Sequence, residues 1–346
     1  MNIKKAALLL SLALCGVFAF GGCKEKTPSG NETTKDDSSG TEPAPTVTEA
    51  EDPLAEHKKK AAALDGKRVI FIGNSYMYYG QMVRSGDFVR QSVAMRSHDD
   101  GIFHELLKEL GAEVEVVNWT FGTHQLSDFF SESCDAGKSC QGENHFAALK
   151  DQAFDYVVLQ ICGREHSYDY LPYLDQALAF FRSTNPDTKF IYLYNPAAYG
   201  INGFKNGTVM DEALQNKELI ASKGVTLVDW GAIVTGFING KLRVEGSKQA
   251  YNQESFIIAQ NEKDGYHPNQ LAGYITTVMT YMAMTGDTAE GLPYDFVGNG
   301  KINPKNDLQT FKSKYYILKS TNYDKILENE KEMKGILKLI DEVGLN

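Results

Sequence analysis

The chain has 346 residues, 42% of them hydrophobic and 23% charged, and its 35 Lys and Arg face 45 Asp and Glu for a formal net charge of −10. That length suits one large domain with appendages or two smaller ones, and the apolar content is enough to build a full core. The acidic balance, with no basic run beyond Lys58-Lys59-Lys60, argues against a nucleic-acid-binding surface.

Lys4 and Lys5 precede an apolar run over residues 6–20, and Gly21-Gly22-Cys23 follows. A basic start, a short apolar segment and small residues form the layout of a secretory signal. The run is shorter than the ~20 residues that span a bilayer. Small residues directly ahead of Cys23 resemble a bacterial lipoprotein signal. That resemblance implies loss of residues 1–22, a lipid on Cys23, and an exported chain anchored to the cell membrane with its domain facing outward. An ordinary signal cut elsewhere is the alternative. Residues 24 to about 55 are rich in Ser, Thr, Gly, Pro, Asp and Glu, the composition of a solvated tether. Residues 23–64 are therefore expected to be a tether and a short lead-in helix over 55–64. Cys134 and Cys140 could close a small loop in an oxidising compartment. Cys162 is left over, so the pairing stays open.

Residues 69–72, Val-Ile-Phe-Ile, read as a short buried strand, which Gly73, Asn74 and Ser75 break. A polar turn at the C-terminal end of such a strand is where open α/β sheets hold their ligands. Ser75 thus sits where a nucleophile would sit, or else caps the following helix. Tyr76 and Tyr79 either line a pocket mouth or pack that helix. A helix is expected over 102–110, with Asp99 or Asp100 as N-cap and Gly111 as its end. Residues 114–119 read as the second strand, with Gly122 and His124 following. Residues 125–154 exceed a simple connection and hold Phe129, Phe130, His145 and a short helix near 146–149.

Residues 154–160 form the third expected strand, ending on Gln160. A helix over 171–182, a strand over 189–194, a helix over 209–222 and a strand over 225–228 come next. Asp229-Trp230 opens a helix to about 237, and residues 239–262 read as polar loop. Asp264-Gly-Tyr-His267-Pro268 then introduces a helix with Leu271, Tyr274, Ile275, Val278, Tyr281 and Met282 on one face, Pro268 in its first position and Gly286 as its cap. A single helix over 324–343 carries a stripe of Ile326, Leu327, Met333, Ile336, Leu337 and Ile340. Strand and helix alternate five times. The predicted fold is therefore α/β: a doubly wound (flavodoxin-like) five-stranded parallel sheet with helices on both faces, over residues 65–288, plus a C-terminal helical extension over 289–346. Neither Gly-x-Gly-x-x-Gly, nor Gly-x-x-x-x-Gly-Lys, nor Gly-x-Ser-x-Gly occurs.

A serine nucleophile needs a base within hydrogen-bond reach and a third group to fix the base's tautomer. Asp264, three residues before His267 on one loop, can turn back to hold the imidazole. Here the chain resembles the SGNH hydrolases, the GDSL-like lipase and acylhydrolase family: Gly73-Asn74-Ser75 matches the first block, and Asp264-Gly265-Tyr266-His267-Pro268 the last. The resemblance covers roughly residues 67–287. It implies Ser75, His267 and Asp264 as the catalytic triad, and the backbone N–H groups of Ser75 and Gly122 as oxyanion donors. Gln160 stands where the family has an asparagine, and carries the same carboxamide on a longer stem. Asn74, Tyr76, Tyr79 and His124 are candidate pocket residues. Water completes deacylation, so no cofactor is expected. No metal is expected either, since His98 and His104 lack supporting carboxylate spacing. The expected activity is removal of O-acyl groups, chiefly acetyl, from a glycan or related ester. The rival is a lipoprotein that binds a carbohydrate or other solute without turnover, which has no need of a Ser75–His267 pair.

Overall fold

The computed structural model describes residues 52–80, 82–83, 101–121, 124–130, 145–160, 171–194, 217–257, 267–297 and 322–345. All lie within one compact unit, Glu51–Asn346. The expected signal, Cys23, Cys134, Cys140, Cys162, His98, Gly122, Asp264 and residues 209–216 of the expected fourth-crossover helix lie outside the described residues.

Five strands form the sheet: β1 (Arg68–Gly73), β2 (Glu115–Thr120), β3 (Tyr156–Leu159), β4 (Lys189–Leu193) and β5 (Thr226–Val228). Their order is β2-β1-β3-β4-β5, and every pairing is parallel. This is the flavodoxin-like order, in which the winding reverses between β1 and β3 and a crevice opens beyond their C-terminal ends. The strands are mostly apolar because both sheet faces are covered. Val69 and Phe71 of β1 enter one core, while Ile70 and Ile72 enter the other. Val158 and Val157 of β3 divide in the same way.

The helices are α1 (Ala55–Ala61, continued by a 3-10 turn at Ala62–Leu64), α2 (Ser75–Tyr79), α3 (Ile102–Glu109), α4 (Leu171–Thr184), α5 (Trp230–Ile238), α6 (Gln253–Phe256), α7 (Gln270–Thr285), α8 (Asn322–Leu327) and α9 (Glu330–Val343). Residues 217–221 are also helical. The elements fall where apolar periodicity places them; their ends differ for identifiable reasons. Gly101, in extended conformation, is the N-cap of α3 in place of Asp99 or Asp100. Pro268 is not the first residue of α7. It precedes the N-cap Asn269, whose side chain accepts from the N–H groups of Leu271 and Ala272, and it pairs across to Ile257. Within the expected 239–262 loop, Asn252 and Ser255 close a reciprocal capping box that starts α6. The expected C-terminal helix is two helices, because Asn329 leaves the helical region and caps α9 through the Glu332 N–H. Its apolar stripe is buried as expected, in the same core as α7.

α7 is the least exposed helix. It was expected to be amphipathic, yet every residue from Gln270 to Met282 is buried. Its polar positions tolerate this because Thr276 and Thr280 donate back to the carbonyls of Ala272 and Thr276, at 2.8 and 2.7 Å. Beyond its C-terminal Gly286, Asp287 gathers a buried polar knot. The Tyr281 hydroxyl donates to its carboxylate at 2.6 Å, His57 Nδ1 of α1 lies 2.8 Å away, and His57 Nε2 lies 3.1 Å from the Glu290 carbonyl. Burial pushes the Asp287 carboxyl up, but the Tyr281 and His57 hydrogen bonds outweigh it and hold the group below the usual carboxylate range.

A carboxyl held low in the folded state contributes stability that is present above its unfolded pKa of roughly 3.9 and is lost as pH falls through the folded value. Asp287→Asn is therefore expected to lower unfolding stability by about 2 kcal/mol at neutral pH, as for lost hydrogen bonds to a charged group. The gap from wild type should narrow below about pH 4. Urea unfolding at pH 7 and pH 3 measures both; a gap independent of pH would contradict the assignment.

Candidate active site

The site begins where β1 and β3 end. A Cβ placed on Gly73 would stand 2.6 Å from the Gln160 carbonyl oxygen, so only glycine lets the chain leave β1 this close to β3. The Gln160 N–H donates to the Ile72 carbonyl at 2.9 Å, and Gln160 is 3% exposed. The two candidate segments therefore run side by side at the point where the sheet's winding reverses. The Phe121 N–H donates to the Gly73 carbonyl at 2.9 Å, which brings the end of β2 alongside as well.

Asn74 then turns the chain into α2. Its side-chain carbonyl accepts from the Tyr76 N–H at 3.2 Å, and its amide donates to the His124 carbonyl at 3.0 Å. Both ends of the carboxamide are thus used to hold the serine turn against the loop after β2. Asn74 and His124 are each 1% exposed. The His124 ring packs among Phe121, Phe129 and His145. Tyr76 is buried and Tyr79 half-buried.

The candidate base lies just ahead of α7. Asn269 fixes the start of that helix through its cap. It also ties the helix to the segment before it: its N–H donates to the Phe256 carbonyl at 2.8 Å and its side-chain amide to the Ser255 carbonyl at 3.0 Å. His267, two residues earlier, is buried, and its Nε2 lies 2.8 Å from Ser75 Oγ. That is hydrogen-bond reach for proton transfer between a hydroxyl and an imidazole. The Tyr79 ring stacks on the imidazole with centroids 3.9 Å apart and planes 7° from parallel, and Tyr76 lies 5.4 Å away, tilted by 47°.

What presses the two halves together is a contact of bare backbone. Gly80 ends α2 and Gly273 lies in the first turn of α7. A Cβ on Gly273 would fall 1.8 Å from the Gly80 carbonyl oxygen, far inside any tolerable separation. Sequence reasoning missed this pair. Its only trace is a glycine inside an otherwise strongly helical pattern, a position where close packing is one of the few reasons to keep it. It also missed Glu332 of α9, which is buried and accepts from the hydroxyls of Ser247 and Tyr251. Burial, with Glu332 alongside, pushes the Tyr251 hydroxyl well above its usual pKa. Through Tyr251 the C-terminal helix steadies the stretch that leads into α6 and so to Asn269.

Asp229 sits at the end of β5, on the same edge of the sheet, but it is engaged elsewhere. It caps α5 through the Ala232 N–H at 2.9 Å and pairs with Lys217 at 3.0 Å. Burial still raises its carboxyl above the ordinary value, against those two partners. Among the described residues, no group of three His, Cys, Asp or Glu side chains is placed to hold a metal ion.

No family model matches the chain, and no curated protein does. Solved structures similar to it include an acetylxylan esterase from Geobacillus stearothermophilus, 18% identical over 64% of this chain and 95% of that one, with a TM-score of 0.36. A protein from Agrobacterium tumefaciens provisionally described as an arylesterase is 15% identical over 63% and 98%, with a TM-score of 0.38. A two-domain esterase active on acetylated mannans is 13% identical over 70% of this chain and 55% of that one, with a TM-score of 0.41. At these values the likeness assigns no residue a role, and the chemistry of the site rests on its own geometry.

Gly273→Ala should therefore act as a wedge. It is expected to move α2 off α7, with an overpacking penalty of about 1–3 kcal/mol, and to lower kcat by about 10²-fold through misplacement of Ser75 against His267. Thermal melting and turnover of the same preparation separate the two effects. Unchanged turnover in a folded Gly273→Ala protein would show that the glycine contact does not set the Ser75–His267 distance.

Proposed function

We propose that the chain is a serine ester hydrolase of SGNH type, exported and lipid-anchored through Cys23, that removes acetyl or similar small acyl groups from a glycan or related ester. The observation that carries the hydrolytic reading is the 2.8 Å approach of His267 Nε2 to Ser75 Oγ, between residues 192 positions apart, at the crevice of the sheet. A solute-binding protein has no use for that pair.

In this reading Ser75 Oγ attacks the acyl carbon as His267 Nε2 takes its proton. The tetrahedral oxyanion is held by the backbone N–H groups of Ser75 and Gly122 and by the Gln160 carboxamide, each donor contributing roughly 3 kcal/mol. His267 then delivers the proton to the leaving alkoxide. A water, deprotonated by the same nitrogen, releases the acid and restores the serine. Asp264 fixes the imidazole's tautomer and stabilises the imidazolium. The glycan preference is supported by the secretion layout of the N-terminus and by the acidic, loop-rich exterior, which suit a neutral surface polymer better than an anionic one.

Three results are expected. An organophosphonate probe labels wild-type protein at Ser75 and leaves Ser75→Ala unlabelled. Ser75→Ala and His267→Ala each abolish most hydrolysis of a short aryl ester, and the double variant loses little more, because groups in one proton transfer are strongly non-additive. Multiplicative losses, or full activity in folded Ser75→Ala, would sink the reading and leave the solute binder. The anchor is tested apart from the chemistry: Cys23→Ser should shift the protein from membrane to soluble fractions, and a variant that stays with the membrane would refute lipidation at that residue.

A further inference from the structure

We infer that Tyr79 is a positioning residue for the base: its ring fixes the plane of His267 and favours the protonated imidazole that forms as the serine attacks. The inference rests on the serine-esterase reading above. The ring stack it adds is a separate observation from the hydroxyl–imidazole contact that carries that reading.

α2 is a single turn, Ser75–Tyr79, so its first and last residues stand four apart and share a face. Both meet the same imidazole. Ser75 Oγ meets Nε2 at 2.8 Å, and the Tyr79 ring covers a face of the imidazole at 3.9 Å and 7° from parallel. One helical turn thus sets two coordinates of the base, the distance from nitrogen to nucleophile and the orientation of the ring. Tyr79 is braced in turn. The Tyr78 ring lies 5.4 Å behind it at 29°, and the next residue, Gly80, is locked against Gly273.

The chemistry follows from the ring's charge distribution. An aromatic face is electron-rich and attracts a cation within ~6 Å of its centroid. Neutral imidazole gains only packing from such a face, whereas imidazolium gains packing and attraction. The contact is therefore stronger once the proton has left Ser75 than before, which is the condition for an interaction to accelerate a reaction. Among the described residues, Ser75 and Tyr76 of α2 also meet the ring. Asp264, on the loop that leads into His267, is the expected carboxylate and lies outside the described residues.

The test is the pH dependence of kcat/KM for a short aryl ester, with wild type, Tyr79→Leu and Tyr79→Phe, each checked for folding by thermal melting. Without the ring the imidazolium loses stabilisation, so the base gives up its proton at lower pH. Tyr79→Leu is expected to lower kcat by about tenfold and to move the acid limb to lower pH by roughly half a unit. Tyr79→Phe keeps an aromatic face and is expected to recover most of both effects. If Tyr79→Leu does not fold, Tyr79→Met, of similar bulk to leucine and without a ring, is read the same way. A folded ringless variant whose acid limb coincides with that of wild type overturns the inference, whatever its kcat, because a merely structural role lowers rate without moving the limb. Loss of both effects' recovery in folded Tyr79→Phe overturns it too. Failure of the underlying reading looks different: wild-type protein that neither hydrolyses the ester nor takes the organophosphonate label overturns both.

Discussion

The site depends on two peptide groups that touch without side chains between them. Gly80 and Gly273 bring the turn that carries Ser75 against the helix that follows His267, at a separation no Cβ could share. Residues so far apart in sequence meet only through tertiary packing, and the tolerance for proton transfer is a few tenths of an ångström. A Cβ on Gly80 would stand 3.0 Å from the Gly273 Cα and use up that tolerance, and one on Gly273, 1.8 Å from the Gly80 carbonyl oxygen, would exceed it. Rigidity on both flanks preserves the contact. Asn74 spends both ends of its carboxamide on the serine turn, and Asn269 does the same for the start of α7.

These anchors sit on a sheet whose order determines where they converge. With β1 flanked by β2 and β3, the loops leaving three neighbouring strands emerge together. Phe121 and Gln160 are hydrogen-bonded to the last residues of β1, so motion of any one of the three loops is felt by the others. The C-terminal helices belong to the same mechanical system. Ile336 and Ile340 share the core of α7, and Glu332 holds Ser247 and Tyr251 ahead of the segment that reaches Asn269. The extension thus acts as a buttress of the base.

Much of this was legible in the chain. The five strands declare themselves as short β-branched and aromatic runs between turn residues, and parallel strands buried on both faces carry little else. Ser75 and His267 were singled out from a polar turn after a strand and a histidine ahead of a helix, and their side chains meet. Ends were less legible than elements. Pro268 suits a first helical position and Asp99 or Asp100 an N-cap by type, but Gln270 and Gly101 take those places, with Asn269 capping α7. The burial of α7 on every side was hidden by its threonines, three of which, Thr276, Thr280 and Thr285, return their hydroxyls to the helix's own carbonyls. The bond from the Asn74 amide to the His124 carbonyl joins two loops and is written in neither local pattern. The Gly80–Gly273 contact and the Tyr79 stack are distances between remote segments, and no local pattern encodes them.

α7 also has a second end. Sixteen residues at 1.5 Å each make it about 24 Å long, with His267 just before its first turn and Asp287 just after its last. Asp287 is where His57 docks, near the start of α1. The helix is therefore an axle between two poles, one chemical and one mechanical, and the polypeptide ahead of Ala55 departs from the mechanical pole. Strain at the Asp287 end therefore reaches the Ser75–His267 contact only along the whole length of a helix buried from Gln270 to Met282.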